Sequence, residues 1–298
     1  MDARFAIRSA RRHSAETIEL VVDAPLVAEH ARAGQVVIVR TTDDGERVPL
    51  TICESDPDYG TISLVVQAVG RSTTEMQSLG PDDRLADLLG PLGEPTEIDA
   101  FGTCVVVAGG VGVAIGLPVA RALAAAGNEV IGIVGARSAE QVILVERFTD
   151  ACDAVHICTE DGSMGDRGMV TDVLESLLDD HPVDRVFVVG PIPMMAAVAE
   201  MTRSRSVPTV ASLNPIMVDG TGMCGGCRVR VDGVARFACV DGPEFDAHQV
   251  DFDVLAKRNA VYQAAERQAR EQFQSHPETD LDRVEHVCRL AERHPELT

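Results

Sequence analysis

Three thiols and a carboxylate near residue 230 carry the spacing of a metal site: Asp219, Cys224, Cys227 and Cys239, in the order D-x4-C-x2-C-x11-C. Plant-type [2Fe–2S] clusters are held by C-x4-C-x2-C and a distant fourth Cys, so Asp219 stands in the first ligand slot and Cys239 in the last. Gly220, Gly222, Gly225 and Gly226 lie among these residues. Glycines let a backbone curl tightly and turn its amides toward an anionic centre. A tetrahedral zinc ion on Cys224, Cys227, Cys239 and a carboxylate or His248 competes with the cluster, because CxxC also suits Zn²⁺. The remaining cysteines, Cys53, Cys104, Cys152, Cys158 and Cys288, are scattered singly and read as ordinary buried thiols of a reducing compartment.

Other residues could hold nucleotides. Arg47-Val48-Pro49-Leu50-Thr51 begins a β-rich run, where Arg47 could pair with a pyrophosphate and Thr51 could reach a flavin ring edge. Alone, this pentapeptide also fits an edge strand with a surface Arg. Gly70-Arg71-Ser72-Thr73 opens a helical stretch running to Leu79, and amides at a helix start can bind phosphate. Gly109-Gly110-Val111-Gly112 joins a strand to a helix. Glycines there allow close approach of a dinucleotide's pyrophosphate, although the turn departs from strict G-x-G-x-x-G. Gly190-Pro191-Ile192-Pro193-Met194 and Thr159-Glu160-Asp161-Gly162-Ser163 occupy two more strand ends, and open α/β sheets bind ligands outside the carboxyl ends of their strands. Arg137 and Ser138, just past the second strand, could contact a 2′-phosphate or cap a helix. The histidines, His156, His181 and His248 among them, read as packing or surface residues, and no acid–base or nucleophilic constellation is needed.

Positioning such sites takes more than one domain, and 298 residues allow two or three. Residues 1–99 show short β-rich runs at even spacing, Thr17 to Val22, Gln35 to Arg40, Val48 to Cys53 and Thr61 to Gln67, which predict an antiparallel β-barrel. From 100 to 207 strands at Val105–Ala108, Glu129–Val134, Ala154–Thr159 and Arg185–Val189 alternate with helices at Leu117–Ala126, Gln141–Thr149, Met169–Leu178 and Met194–Thr202. That alternation predicts a parallel α/β nucleotide-binding unit. Residues 208–252 form a small unit with the cysteine loop and a hairpin turning at Asp232-Gly233, a dipeptide favoured in type I′ turns. The tail, 253–298, reads as helical, with Leu255, Tyr262, Ala269 and Phe273 on one stripe and Leu281, Val284, Val287 and Leu290 on another beyond Pro277. The fold class is therefore a multidomain β plus α/β chain.

Composition excludes nucleic acid as a partner: net charge is −21, aromatics are 3% and Trp is absent. The only lysine is Lys257, so 25 of the 26 basic residues are Arg. A charged amino terminus without an apolar core predicts a cytoplasmic protein without a secretory signal. The charge-free run Ala100 to Ala120 is long enough for a membrane span, but its glycines and Pro118 fit a buried strand–turn–helix better.

Barrel, nucleotide unit and cysteine loop in this order resemble the ferredoxin-NADP reductase superfamily, in the branch with the dihydroorotate dehydrogenase electron-transfer subunit. The resemblance runs from about residue 3 to 256. It implies FAD on Arg47, Leu50, Thr51, Gly70, Ser72 and Thr73, and a nicotinamide nucleotide on Gly109, Gly110, Gly112, Gly190, Pro191 and Met194. The stretches Ser212–Gly225 and Ala238–Asp246 are similar to the small subunit of NADH-dependent reduced ferredoxin:NADP⁺ oxidoreductase and of sulfide dehydrogenase. In those relatives an Asp and three Cys hold the cluster, whereas orotate-pathway subunits carry Cys in the slot of Asp219. Val189 stands where the superfamily often has Cys before Gly-Pro.

The resemblance implies electron flow from NADH through FAD and a [2Fe–2S] cluster to a large flavoprotein subunit with its own iron–sulfur clusters, and indirectly to ferredoxin. NAD(H) is preferred on the resemblance alone, with NADP(H) not excluded. A sulfide or polysulfide dehydrogenase subunit, an orotate-pathway electron-transfer subunit, and a noncatalytic redox-responsive or zinc-stabilised adaptor are the alternatives.

Overall fold

The computed structural model describes residues 5–275. The expected helix bearing Leu281, Val284, Val287 and Leu290 lies outside them. Strands β1 (Ile7–Ser14) and β2 (Thr17–Asp23), helix α1 (Pro25–His30), strands β3 (Val36–Arg40), β4 (Val48–Asp56) and β5 (Thr61–Gln67), helix α2 (Arg71–Glu75) and strand β6 (Asp87–Leu92) build the amino-terminal part. Its antiparallel sheet runs β1-β2-β5-β4-β3-β6, and a bridge between Ala6 and Arg84 draws its two edges together. Ile18, Leu20, Val22, Val37, Val39, Ile62, Leu64 and Val66 fill the interior, as alternation along half-buried strands requires.

Next come β7 (Thr103–Gly109), α3 (Val113–Ala125), β8 (Glu129–Ala136), α4 (Val145–Thr149), β9 (Ala154–Thr159), β10 (Asp166–Arg167), α5 (Val170–Asp180), β11 (Arg185–Val189), α6 (Ile192–Ser204) and β12 (Thr209–Ser212). The strands make one sheet in the order β10-β9-β8-β7-β11-β12, all parallel. Cys104 to Ala108 are buried without interruption, which marks a strand covered on both faces. Helix α5 buries Val170, Leu174 and Leu177, one stripe of an amphipathic helix.

The chain ends with β13 (Arg228–Val231), β14 (Val234–Phe237), β15 (Glu244–Asp246), α7 (Phe252–Ala260) and α8 (Gln263–Ser275). Strands β13 and β14 pair Val231 with Val234 across Asp232 (φ 49°) and Gly233 (φ 71°), so both turn residues are left-handed, as a type I′ hairpin demands. Strand β15 adds antiparallel to β12, making a seventh strand of the nucleotide sheet. The expected border at 207/208 thus falls just before a strand that belongs to that sheet.

Several elements differ from expectation. The helix expected at Gln141–Thr149 is a short turn at Ala139–Gln141 followed by α4, because Leu144 adopts a left-handed φ of 56° between them. The helix expected from Leu117 begins at Val113 and keeps Pro118 inside, its buried face outweighing one lost backbone bond. Tyr262 leaves the expected stripe, since the chain breaks between α7 and α8, and the side chain is 57% exposed. Strands β1, β6, β10, β12 and β15 were not expected.

An ionic knot ties barrel to nucleotide unit. Arg147 of α4 donates to both carboxylate oxygens of Glu19 in β2, at 2.8 and 2.6 Å, and to Glu54 of β4 at 3.3 Å. Glu19 also receives the Ser63 hydroxyl at 2.6 Å and lies 2.9 Å from His13 Nε2, while Arg121 of α3 pairs with Glu54. Burial pushes the Glu19 carboxyl upward, but His13, Arg147 and Ser63 outweigh it and hold the group well below the ordinary carboxylate range.

No helix among the described residues is long and apolar enough to cross a membrane. The run Ala100 to Ala120 is β7 and the start of α3, as the strand–turn–helix reading expects.

Candidate functional site

The carboxyl ends of β7, β8, β9 and β11 face strands β3, β4 and β5 of the barrel across a cavity of about 850 Å³, within the size range of small-molecule and cofactor sites. Gly109, Gly110 and Gly112 line it from the end of β7, and Gly190, Pro191 and Met194 from the end of β11. These two strand ends touch: a Cβ on Gly109 would lie 2.6 Å from Met194 Sδ, and one on Gly190 would lie 3.2 Å from the Gly109 Cα. Side chains there would force the ends apart, so glycine is needed for packing as well as for the cavity wall.

The barrel contributes Leu50, Thr51 and Thr73 from the expected flavin set, together with Val36, Val48, Pro49, Val65, Gln67 and Val69. Arg47, Gly70 and Ser72 flank the cavity without lining it. Arg47 lies 3.8 Å from Asp87, and the Ser72 hydroxyl donates to Glu46 at 2.7 Å. Thr73 Oγ1 accepts from the amides of Val69 at 3.0 Å and Gly70 at 2.9 Å, which shapes the turn before α2.

At the far side Arg137 and Gln141 line the cavity with Glu160, and Arg137 Nε donates to Gln141 Oε1 at 3.3 Å. Ser138 instead precedes the short turn at Ala139–Gln141, whose last amide donates to the Ser138 carbonyl at 3.0 Å.

The cysteine loop abuts the barrel wall. A Cβ on Gly220 would meet Leu92, Ile38 and Leu89, the closest at 2.8 Å. Upstream, Leu213 and Met217 line the cavity itself. Gly220, Gly222 and Gly225 have φ of 79°, 78° and 69°, so the curl of this loop is one L side chains resist.

Within it two contacts link the four ligand candidates. The Cys224 amide donates to Asp219 Oδ2 at 2.7 Å, and the Cys227 and Cys239 sulfurs are 3.2 Å apart. Among the described residues no three His, Cys, Asp or Glu side chains converge tightly enough to hold a single ion. His248, the alternative zinc ligand, lies 3.0 Å from the Thr202 hydroxyl instead. Backbone amides also aim at the sulfurs, Gly226 to Cys224 at 3.4 Å and Cys239 to Cys227 at 3.5 Å, and such bonds set cluster potentials.

The Thr221 amide, opposed by desolvation and joined by the Cys224 amide, holds the Asp219 carboxyl below its ordinary range. Burial, with Cys227 beside it, pushes the Cys239 thiol up to about 12. A metal would displace that proton, as thiolate ligation requires.

Residues beyond the expected set also frame the site. Arg258 of α7 donates to the carbonyls of Gly225 at 3.3 Å and Gly226 at 3.1 Å. Pro243 lines the cavity, and beside it burial pushes the Glu244 carboxyl up to about 7 despite a 2.9 Å bond from the Thr96 hydroxyl. No local motif marks Arg258 or Glu244, because both act across contacts distant in the chain.

Comparisons with known proteins agree with this geometry. Residues 214–251 match the iron–sulfur cluster binding domain of dihydroorotate dehydrogenase B. The chain is 43% identical over 258 residues to the dihydroorotate dehydrogenase B (NAD(+)), electron transfer subunit homolog of Thermotoga maritima, covering 87% of this chain and 91% of that one. It is 33% identical over 256 residues to the dihydroorotate dehydrogenase B (NAD(+)), electron transfer subunit of Geobacillus thermodenitrificans, covering 83% and 97%. Among solved structures it resembles a chain of the NADH-dependent reduced ferredoxin-NADP oxidoreductase studied for flavin-based electron bifurcation. That match has a TM-score of 0.87 and 40% identity and covers 92% of this chain and 99% of the other.

Proposed function

The chain belongs to the family of dihydroorotate dehydrogenase B electron-transfer subunits and their homologues, and from that premise we propose that it is the electron-transfer subunit of a flavin-based, bifurcating NADH-dependent ferredoxin:NADP⁺ oxidoreductase. The observation that carries this reading is the continuity of one cavity, walled by the glycine turns on one side and the barrel strands on the other, with a cysteine loop packed on the same barrel wall.

When bound, FAD and the [2Fe–2S] cluster convert the electron pair of NADH into single electrons. The residues of the chain bind and orient these groups. Gly109, Gly110 and Gly112 offer a backbone surface to the nucleotide's pyrophosphate, with Gly190, Pro191 and Met194 opposite. Leu50, Thr51 and Thr73, which line the cavity, would hold FAD there, with Arg47, Gly70 and Ser72 beside them. Asp219, Cys224, Cys227 and Cys239 would hold the cluster. Val36, Ile38, Leu213, Met217, Cys227 and Cys239 share one apolar core, which keeps water out of the space between loop and barrel.

The acceptor is a large flavoprotein subunit with iron–sulfur clusters of its own, which passes electrons to or from ferredoxin. The chain works as units 1–99, 100–207, 208–252 and 253–298. Relatives named as dihydroorotate dehydrogenase B subunits favour a second reading, electron transfer from dihydroorotate; Asp219 in the first ligand slot weighs against it. Relatives that are electron-transfer subunits favour turnover over a noncatalytic adaptor.

Purifying the native complex through this chain and assaying it with NADH, NADP⁺ and ferredoxin tests the proposal. Coupled turnover of all three is expected. Activity with dihydroorotate instead would replace the reading with its rival.

A further inference from the structure

Helix α8 packs against α2, beside the turn Val69–Thr73. Its partly buried residues, Ala269, Arg270 and Phe273, lie on one face, while most of the helix is exposed. Arg270 Nη1 donates to the Val69 carbonyl at 3.2 Å, and the Arg71 guanidinium lies 5.9 Å from the centre of the Phe273 ring, within cation–π range. The peptide plane between Val69 and Gly70 is therefore held at both ends, its carbonyl by Arg270 and its N–H by Thr73 Oγ1 at 2.9 Å.

The other end of this arm is anchored on the cluster loop. Helix α7 buries Leu255, Arg258 donates to the carbonyls of Gly225 and Gly226, and the Asn259 amide donates to the Asn214 carbonyl at 2.9 Å.

We propose that α8 is a clamp on the flavin-binding turn, with Arg270 and Phe273 as positioning residues that fix Val69–Arg71 in its binding shape and so set how long FAD stays bound. This rests on the reading of that turn as part of the flavin site. Arg270 lies 4.0 Å from the exposed Glu16, and the Ser72 hydroxyl holds Glu46 beside the turn. A strongly acidic chain has to bind an anionic dinucleotide there, so cations held at the turn favour retention.

The test compares FAD release from the full-length holoprotein in wild type and in Arg270→Ala/Phe273→Ala, with iron and labile sulfide per chain as the internal control. Loss of a charged hydrogen bond and a ring contact predicts release about tenfold faster, with iron and sulfide unchanged. Phe273→Tyr is expected to retain FAD like wild type, and Phe273→Leu to lose it faster. Glu16→Gln is expected to change nothing, since an exposed pair at 4.0 Å contributes little. Equal release rates in wild type and the double variant, with wild type binding FAD normally, would overturn the clamp. A wild-type protein that binds no FAD at all would overturn the flavin reading itself and the clamp with it.

Discussion

Asp219 is the ligand candidate that distinguishes this run from one of four cysteines. Its oxygens accept from the amides of Thr221 and Cys224, which orient the carboxylate. An oxygen ligand is harder than a thiolate, and cluster potential responds to ligand type, charge and hydrogen bonding. Asp219→Cys is therefore expected to keep a [2Fe–2S] centre while changing its EPR spectrum and shifting its midpoint potential. An unchanged spectrum and potential would remove Asp219 from the ligand set. The pattern from Asp219 to Cys239 was legible as a candidate ligand run because it lies within 21 residues. Leu50, Thr51, Thr73 and the glycine turns reach one cavity as the sequence expects, for they sit at strand ends whose position follows from period and turn chemistry. Arg258 was not legible: the loop carbonyls it serves lie some thirty residues earlier, and no local pattern joins them.

At the scale of elements, the join between barrel and nucleotide unit carries the cavity. Each wall comes from a different unit, so their alignment decides whether flavin and nicotinamide can meet. The Glu19–Arg147 pair fixes part of that alignment across β2 and α4. Arg147→Ala leaves a buried carboxylate without its cation. It is expected to lower stability at pH 7 by about 2–4 kcal/mol, less than a fully buried pair would give because Arg147 keeps some solvent exposure. Because the folded carboxyl titrates below its unfolded value, near 4.5, this contribution is complete above that value and fades as pH falls below it. Denaturant unfolding of both proteins at pH 7 and at pH ~3.5 checks the sign. A stability gap that is absent, or that widens in acid, would contradict it. Strongly periodic elements, such as β5 and β9, were readable to the residue. Strand β15 and the break at Leu144 were not, because three residues added to a sheet edge and one left-handed φ leave no periodic trace.

The whole molecule is a sequence of compartments, with a nucleotide crevice, a barrel wall and a metal loop in contact, and a C-terminal arm touching the last two. A net charge of −21 repels nucleic-acid phosphates. We propose that this one chain holds both a flavin and a two-iron cluster and reduces them with NADH. Chemical analysis of anaerobically purified protein, followed by its absorbance spectrum before and after NADH, tests this most directly. About one FAD, two irons and two labile sulfides per chain are expected, with flavin and cluster bands that bleach when NADH is added. Zinc in place of iron and sulfide, or a protein free of flavin whose spectrum ignores NADH, would contradict it.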